Sequence, residues 1–122
     1  MGLSEGVFDT NILIDFLREV PGAQAELTGY TNCYISQITW IEVMAGIQPH
    51  EDAKVRSFLS GFEVLSISER VIEEAVIVRR EGRLKLPDAI ILATAIAHNL
   101  ILVTRNTRDF PTGPRIRVPY QL

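Results

Sequence analysis

Only five aspartates occur in the 122 residues, and three of them stand where an apolar run gives way to a loop or where a buried helix begins. Asp9 follows the apolar pair Val7-Phe8, Asp88 follows Pro87 at the head of the apolar stretch from Ala89 to Ala97, and Asp109 lies six residues beyond Val103. A fourth acid, Glu42, is set among Trp40, Ile41, Val43 and Met44, where a surface helix has no use for a carboxylate. Carboxylates that share a site repel, so they raise one another's pKa or hold a cation between them. Acidic oxygens without a Cys or His cluster suit a hard divalent ion, Mg2+ or Mn2+, better than zinc. A metal held by carboxylates and water can drive in-line displacement at phosphorus and asks little else of the protein. Three of the acids also have a plainer reading, and Glu42 is the hardest to explain that way: Asp9 as a helix N-cap, Asp88 as a favourable charge on a helix dipole, Asp109 as a turn residue. Periodicity alone does not make the four meet.

The elements that must position these acids alternate between short apolar runs and helical patterns, which indicates a parallel α/β architecture. Val7-Phe8 reads as a buried strand ending at Asp9. A helix follows over Asn11–Glu19, with Ile12, Leu13, Phe16 and Leu17 at helical spacing. After Pro21-Gly22 comes a short helix over Ala23–Leu27, then a strand over Asn32–Ile35. Ser36 is an N-cap for a helix with Ile38, Ile41 and Ala45 inward, ended by Gly46. Pro49 opens a helix to Ser60 with Ala53, Val55, Phe58 and Leu59 inward, and Glu63–Ile67 is a third strand. Ser68 caps a helix to Arg80 with Val71, Ile72, Ala75 and Val76 on its buried side. Pro87 suits the first turn of a helix to His98, whose apolar surface all round marks it as buried. Ile101–Val103 is a fourth strand, and Arg115–Val118 a fifth, edge strand. Ligands of such sheets bind outside the carboxyl ends of the strands, where Asp9 and Asp109 fall and which Asp88 can reach from its helix start.

At 122 residues the chain fits one domain, and a charged fraction of 22% against 47% hydrophobic residues argues against disorder. The single cysteine, Cys33, has no internal disulfide partner and reads as a small core residue, which fits the cytoplasm. The start Met1 to Gly6 has neither the basic nor the apolar region of a signal peptide, and Ala89–Ala97 is too short to span a bilayer. A net charge of −3 argues against a nucleic-acid binder, but eight of the twelve basic residues lie from Arg79 onward, flanking Asp88 and Asp109. Arg79, Arg80, Arg83, Lys85 and Arg105 are candidates for phosphate contact in that half, beside the plainer reading of solvated surface charge. Trp40 and Tyr34 are assigned to packing, His50 to a solvated loop, His98 to capping or packing, and Asp15 to solvent or to Arg18.

Four blocks, in order, resemble the PIN-domain nucleases, and within them the VapC-type toxins of prokaryotic toxin–antitoxin pairs. They are Phe8 to Asp15, Ile35 to Gly46, Leu86 to Ala95 and Leu102 to Phe110. The resemblance runs from Val7 to the C-terminus. It implies a three-layer α/β fold with a central, mainly parallel sheet of four to five strands and helices on both faces. It also implies one Mg2+ site (Mn2+ as a substitute) formed by Asp9, Glu42, Asp88 and Asp109, with Asp9 and Asp88 as direct ligands and Thr104 and Asn106 supporting through hydrogen bonds. Many members carry an acid where Asn106 stands; the amide here makes Asp109 the fourth acid. Members of this kind resemble homodimers silenced by a small VapB-like antitoxin whose tail enters the acidic groove, and their targets are structured RNAs such as tRNA or rRNA.

The expected activity is therefore that of a metal-dependent endoribonuclease toxin. The alternative keeps the fold without catalysis, as an RNA- or protein-binding PIN-like module. A metal-dependent phosphatase is disfavoured because Asp9-Thr10-Asn11 lacks a second acid, and a phospho-accepting receiver because Arg105 stands where lysine is wanted.

Overall fold

The computed structural model describes residues 4–110 and 113–122, so Met1 to Leu3, at the start of the segment read for a leader, lie outside the described residues. Five strands, β1 (Glu5–Phe8), β2 (Asn32–Ser36), β3 (Glu63–Leu65), β4 (Leu102–Val103) and β5 (Ile116–Arg117), form one sheet in the order β3-β2-β1-β4-β5. Every pairing is parallel. Parallel neighbours need crossovers, and six helices supply them: α1 (Thr10–Leu17), α2 (Pro21–Thr28), α3 (Gln37–Ala45), α4 (Asp52–Leu59), α5 (Glu69–Glu81) and α6 (Leu86–Ala97). The expected three-layer architecture is the one observed.

Side-chain alternation along the central strand β1 separates the two faces. Val7 packs with Leu102 against Val78 of α5 and Ala89, Leu92 and Ala95 of α6. Phe8 packs with Val103 and Ile35 against Ile12 and Leu13 of α1, Val43 of α3, and Val55 and Leu59 of α4. Both faces are thus covered, as short, fully apolar parallel strands require. Helix α6 buries Ala89, Ile91, Leu92, Ala93, Thr94, Ala95 and Ala97, which accounts for its apolar circumference. Among the described residues no helix is long and apolar enough to cross a membrane.

Local differences from the sequence reading have identifiable causes. The third strand stops at Leu65 rather than Ile67, because the Ile67 N–H donates to the Gln37 side chain at 2.8 Å and Ser68 then caps α5. The helix expected from Pro49 to Ser60 begins as a 3-10 turn over Pro49–Glu51 before α4 starts at Asp52. Helix α5 turns Val71, Ala75 and Val78 inward and leaves Ile72 and Val76 exposed. It packs on α6 through small residues, Ala75 against Ala93 and Ala97, so only a narrow row is covered and the wider apolar stripe faces solvent. Helix α3 shows a similar offset: Thr39 and Val43 are buried, whereas Ile41 is 53% exposed and Ala45 is also exposed. A threonine in the inner row misleads a reading that follows apolar residues alone. Ala53 is exposed on α4, and Cys33 is half-buried rather than buried.

Candidate metal centre

Asp9 is where the sheet and the site meet. Its backbone N–H still donates to the Val103 carbonyl of β4 (2.9 Å), while its extended backbone makes it the N-cap of α1. One carboxylate oxygen, Oδ1, accepts from the Thr10 N–H at 2.8 Å. The other, Oδ2, accepts from the Thr104 hydroxyl at 2.7 Å and from the Asn11 amide at 3.2 Å. The N-cap reading of this residue is the one observed, and the cap leaves its carboxylate beside Thr104 and Asn11. With 4% of its surface exposed, Asp9 is too desolvated to ionise easily. Burial, with further repulsion from Asp88 and Glu42, outweighs the bonds from Thr104 and Thr10 and lifts its pKa from the ordinary 3.8 to about 6.

The other acids arrive from three further segments. Asp88 stands in the first turn of α6, half-buried, and its pKa is raised by burial and by the charges of Glu42 and Asp109, with Lys85 opposing. Glu42 lies on the exposed side of α3 but is anchored: the Thr10 hydroxyl donates to it at 2.7 Å and lies 3.0 Å from the Thr39 hydroxyl. Asp109 is exposed in the loop after β4, where the Asn106 side chain donates to its carboxylate (3.1 Å) and accepts from its backbone N–H (3.2 Å). The Asn106 N–H in turn donates to the Thr104 hydroxyl at 3.0 Å. Asp9 thus feels the charges of Asp88 and Glu42, and Asp88 those of Glu42 and Asp109. Among the described residues, no three acidic, histidine or cysteine side chains are close enough to clasp an ion unaided. The donor set is all oxygen, with one buried carboxylate and one half-buried carboxylate in mutual repulsion. That fits Mg2+, which takes one or two carboxylates, keeps several waters and needs no all-protein cage.

Sequence reasoning missed four supporting residues. Thr10 and Thr39 fix Glu42. Asn11 bridges the site, because its amide nitrogen reaches Asp9 and, at 3.4 Å, Thr104, while its carbonyl accepts from the Arg105 N–H. Asp15, expected in solvent or on Arg18, is 2% exposed and receives Arg105 through Nε (2.6 Å) and Nη2 (3.1 Å), with the Tyr120 hydroxyl at 2.7 Å. Burial pushes the Asp15 carboxyl up, but the bonds from Arg105 and Tyr120 hold it below the usual range. The signal was available, since Asp15 lies three residues beyond buried Ile12 on the same face of α1. Arg105, offered above as a phosphate contact, is instead engaged by this buried acid. The ring of Tyr120 rests on Gly22, where an added Cβ would meet it at 2.7 Å. Of the remaining basic candidates, Arg79 donates to the Leu84 carbonyl at 3.0 Å, and Arg80, Arg83 and Lys85 are exposed.

Residues 6–112 match the PIN domain. The chain belongs to the PIN-domain family. Curated relatives of this PIN domain include ribonuclease VapC19 of Mycobacterium tuberculosis, 29% identical over 93% of this chain and 98% of the relative. Ribonuclease VapC of Rickettsia bellii is 28% identical over 97% and 95%. Among solved structures, a chain of a toxin–antitoxin complex from Klebsiella pneumoniae is 45% identical and superposes with a TM-score of 0.91 over 96% of this chain and 99% of that one. A chain of the DNA-bound VapBC complex from Salmonella typhimurium gives 25% identity and a TM-score of 0.79 over 94% and 96%. The relatives of this PIN domain thus carry the VapC name or come from toxin–antitoxin complexes.

The raised pKa of Asp9 carries a sign. The folded state holds this proton more tightly than the unfolded chain does, so its contribution to metal-free stability is greatest below about pH 4 and is lost as pH rises through about 6. A shift of about two units corresponds to roughly 3 kcal/mol. Denaturant unfolding in chelator, compared between wild type and Asp9→Asn from pH 4 to 7.5, should show the variant gaining relative stability across that window; parallel curves would refute the shift. Arg105→Ala strips the buried Asp15 of its cation and should cost about 3 kcal/mol of unfolding free energy. A loss below about 0.5 kcal/mol in the same measurement would show that the pair does not hold the loop.

Proposed function

We propose that this chain is a Mg2+-dependent endoribonuclease, the toxin of a toxin–antitoxin pair, acting on structured RNA of the tRNA or rRNA class. The observation that carries this reading is the buried Asp9, held by three hydrogen-bond donors and raised toward neutrality by burial first and by the nearby charges of Asp88 and Glu42 second. A purely binding module has no use for acids kept together at such electrostatic cost, whereas a cation relieves that cost. The names of the VapC ribonuclease relatives and of the toxin–antitoxin complexes support the same reading.

In it, Asp9 and Asp88 are the direct ligands, with Glu42 and Asp109 acting on the ion or on its waters. Bound Mg2+ would supply Lewis-acid stabilisation of the phosphoryl oxygens and a water acidified for attack. The chain's own part is positioning. Thr104 and Asn11 take Asp9 Oδ2 and the Thr10 N–H takes one side of Oδ1, which leaves the other side of Oδ1 for the ion. Thr10 keeps Glu42 from swinging into solvent, and Asn106 does the same for Asp109. Arg80, Arg83 and Lys85, at the end of α5 and the start of α6, offer cations to the flanking phosphates. Partners follow from the reading: a small VapB-like antitoxin that covers the acidic groove, and a second copy of the chain. The exposed apolar residues Ile41, Val64, Ile72 and Val76 supply a face for that copy. A nuclease of cellular RNA with one unpaired thiol belongs in the cytoplasm.

Total RNA incubated with the purified protein should be cut only when Mg2+ or Mn2+ is present. Asp9→Asn and Asp88→Asn should each reduce the cleavage rate at least about a hundredfold while the circular dichroism spectrum is unchanged. Full activity in both variants, or cleavage in excess chelator, would sink the reading. Ile41→Glu should convert a dimer to a monomer in analytical ultracentrifugation; a monomeric wild type would remove the dimer from it.

A further inference from the structure

Beside the acidic site, and sharing Asp109 with it, a cavity of about 660 Å3 opens between the end of α5, the body of α6 and the loop after β4. Its floor is apolar, made of Leu84, Leu92, Ile96 and Phe110, and three of these belong to the buried core. Its rim is charged, with Arg83 and Glu81 from the α5 end, and Arg108 and Asp109 from the loop. A shallower hollow of about 380 Å3, lined by Asn11, Arg105, Asn106 and Thr107, shares Arg108 and Asp109 with it. The two depressions are therefore continuous across the acid at the edge of the metal centre. Among the described residues neither Arg83 nor Arg108 is in an ion pair, and both are exposed.

We propose that this cavity receives one unpaired base of the RNA substrate, a nucleotide next to the scissile phosphate, and so sets which sequence is cut. The proposal rests on the nuclease reading given above. The volume is in the range of small-ligand sites, about 300–1,000 Å3. A flat, apolar base face suits the Leu84–Leu92–Ile96–Phe110 floor, and sequence-specific RNA recognition works through splayed-out bases seated against aromatic side chains and guanidinium planes. The mixed-charge rim favours RNA over an apolar protein segment: beside the carboxylates of Glu81 and Asp109 stand two guanidinium groups outside any ion pair among the described residues, which can meet the phosphates on either side of a seated base. Continuity with the metal centre does the rest. A base seated here puts its own backbone past Asp109 and its neighbouring phosphate toward Asp9 and Asp88.

Two measurements test it. In the first, an RNA that the wild type cleaves is remade with abasic nucleotides, one at a time, on each side of the cut. One position should lower kcat/KM at least about tenfold, the scale of a lost stacking contact. Ile96→Phe, which fills the cavity from a half-buried position without touching an acid, should lower cleavage of the intact RNA by a similar factor and show no further loss at that abasic position. In the second, methyl NMR of the metal-free protein with each of the four nucleoside monophosphates should shift the Leu84, Leu92 and Ile96 methyl groups, and should do so less in Ile96→Phe. Cleavage indifferent to every abasic position, with methyl groups unmoved by any nucleotide, overturns the proposal and leaves the cavity to a protein ligand. Methyl shifts in a protein that cuts no RNA would keep the base site and reject the nuclease reading, so the two failures are distinguishable.

Discussion

A carboxylate taken out of water must be given partners, and the placement of Asp9 at the end of the central strand organises much of what surrounds it. Its oxygens are satisfied by the Thr10 N–H, the Asn11 amide and the Thr104 hydroxyl, which come from the start of α1 and from the far side of the β1–β4 pair. Those bonds require β1 and β4 to be adjacent and in register, because Thr104 follows the strand that pairs with Phe8. They also require α1 to begin immediately after the strand. The central sheet order and the first loop are thus conditions for keeping one charged group inside the protein.

Much of this was legible in the sequence because it depends on short-range chemistry. Apolar runs placed all five strands, Ser36 and Ser68 marked two helix starts, and Pro87 marked a third. Asp9, Glu42, Asp88 and Asp109 were grouped through the family resemblance rather than any local signal; in the fold Asp88 and Glu42 act on Asp9, and Glu42 and Asp109 act on Asp88. What could not be read was the set of contacts that span the chain. Asp15 meets Arg105 and Tyr120 across 90 and 105 residues, and nothing local to Asp15 names those partners. The buried faces of α3 and α5 were misjudged for a different reason. The covered row of α3 includes Thr39, which counts weakly in a hydrophobic pattern, and that of α5 runs from Val71 through Ala75 to Val78, while Ile41, Ile72 and Val76 count strongly and face outward.

Two bidentate arginine pairs hold the later part of the chain to the earlier part. Arg105 grips Asp15 of α1, and Arg117 of β5 grips Glu26 of α2, where the Tyr30 hydroxyl also binds. Planar guanidinium forks fix orientation as well as distance. The loop that carries Thr104, Asn106 and Asp109 is consequently braced from outside by groups that have no part in metal chemistry. The loop stays exposed at Asp109 and is tied down at Arg105.

Gly22 sits at the end of this chain of supports. A single methyl group there would displace the Tyr120 ring, and with it the hydroxyl that shares Asp15 with Arg105. Genetic selection for survivors of a harmful nuclease samples every codon, not only those of the acids. On the nuclease reading proposed above, such a screen would return Gly22 beside Asp9, and the two classes would differ in kind: loss at Asp9 would be chemical and permanent, whereas loss at Gly22 would be mechanical and open to second-site reversion by a smaller residue at position 120.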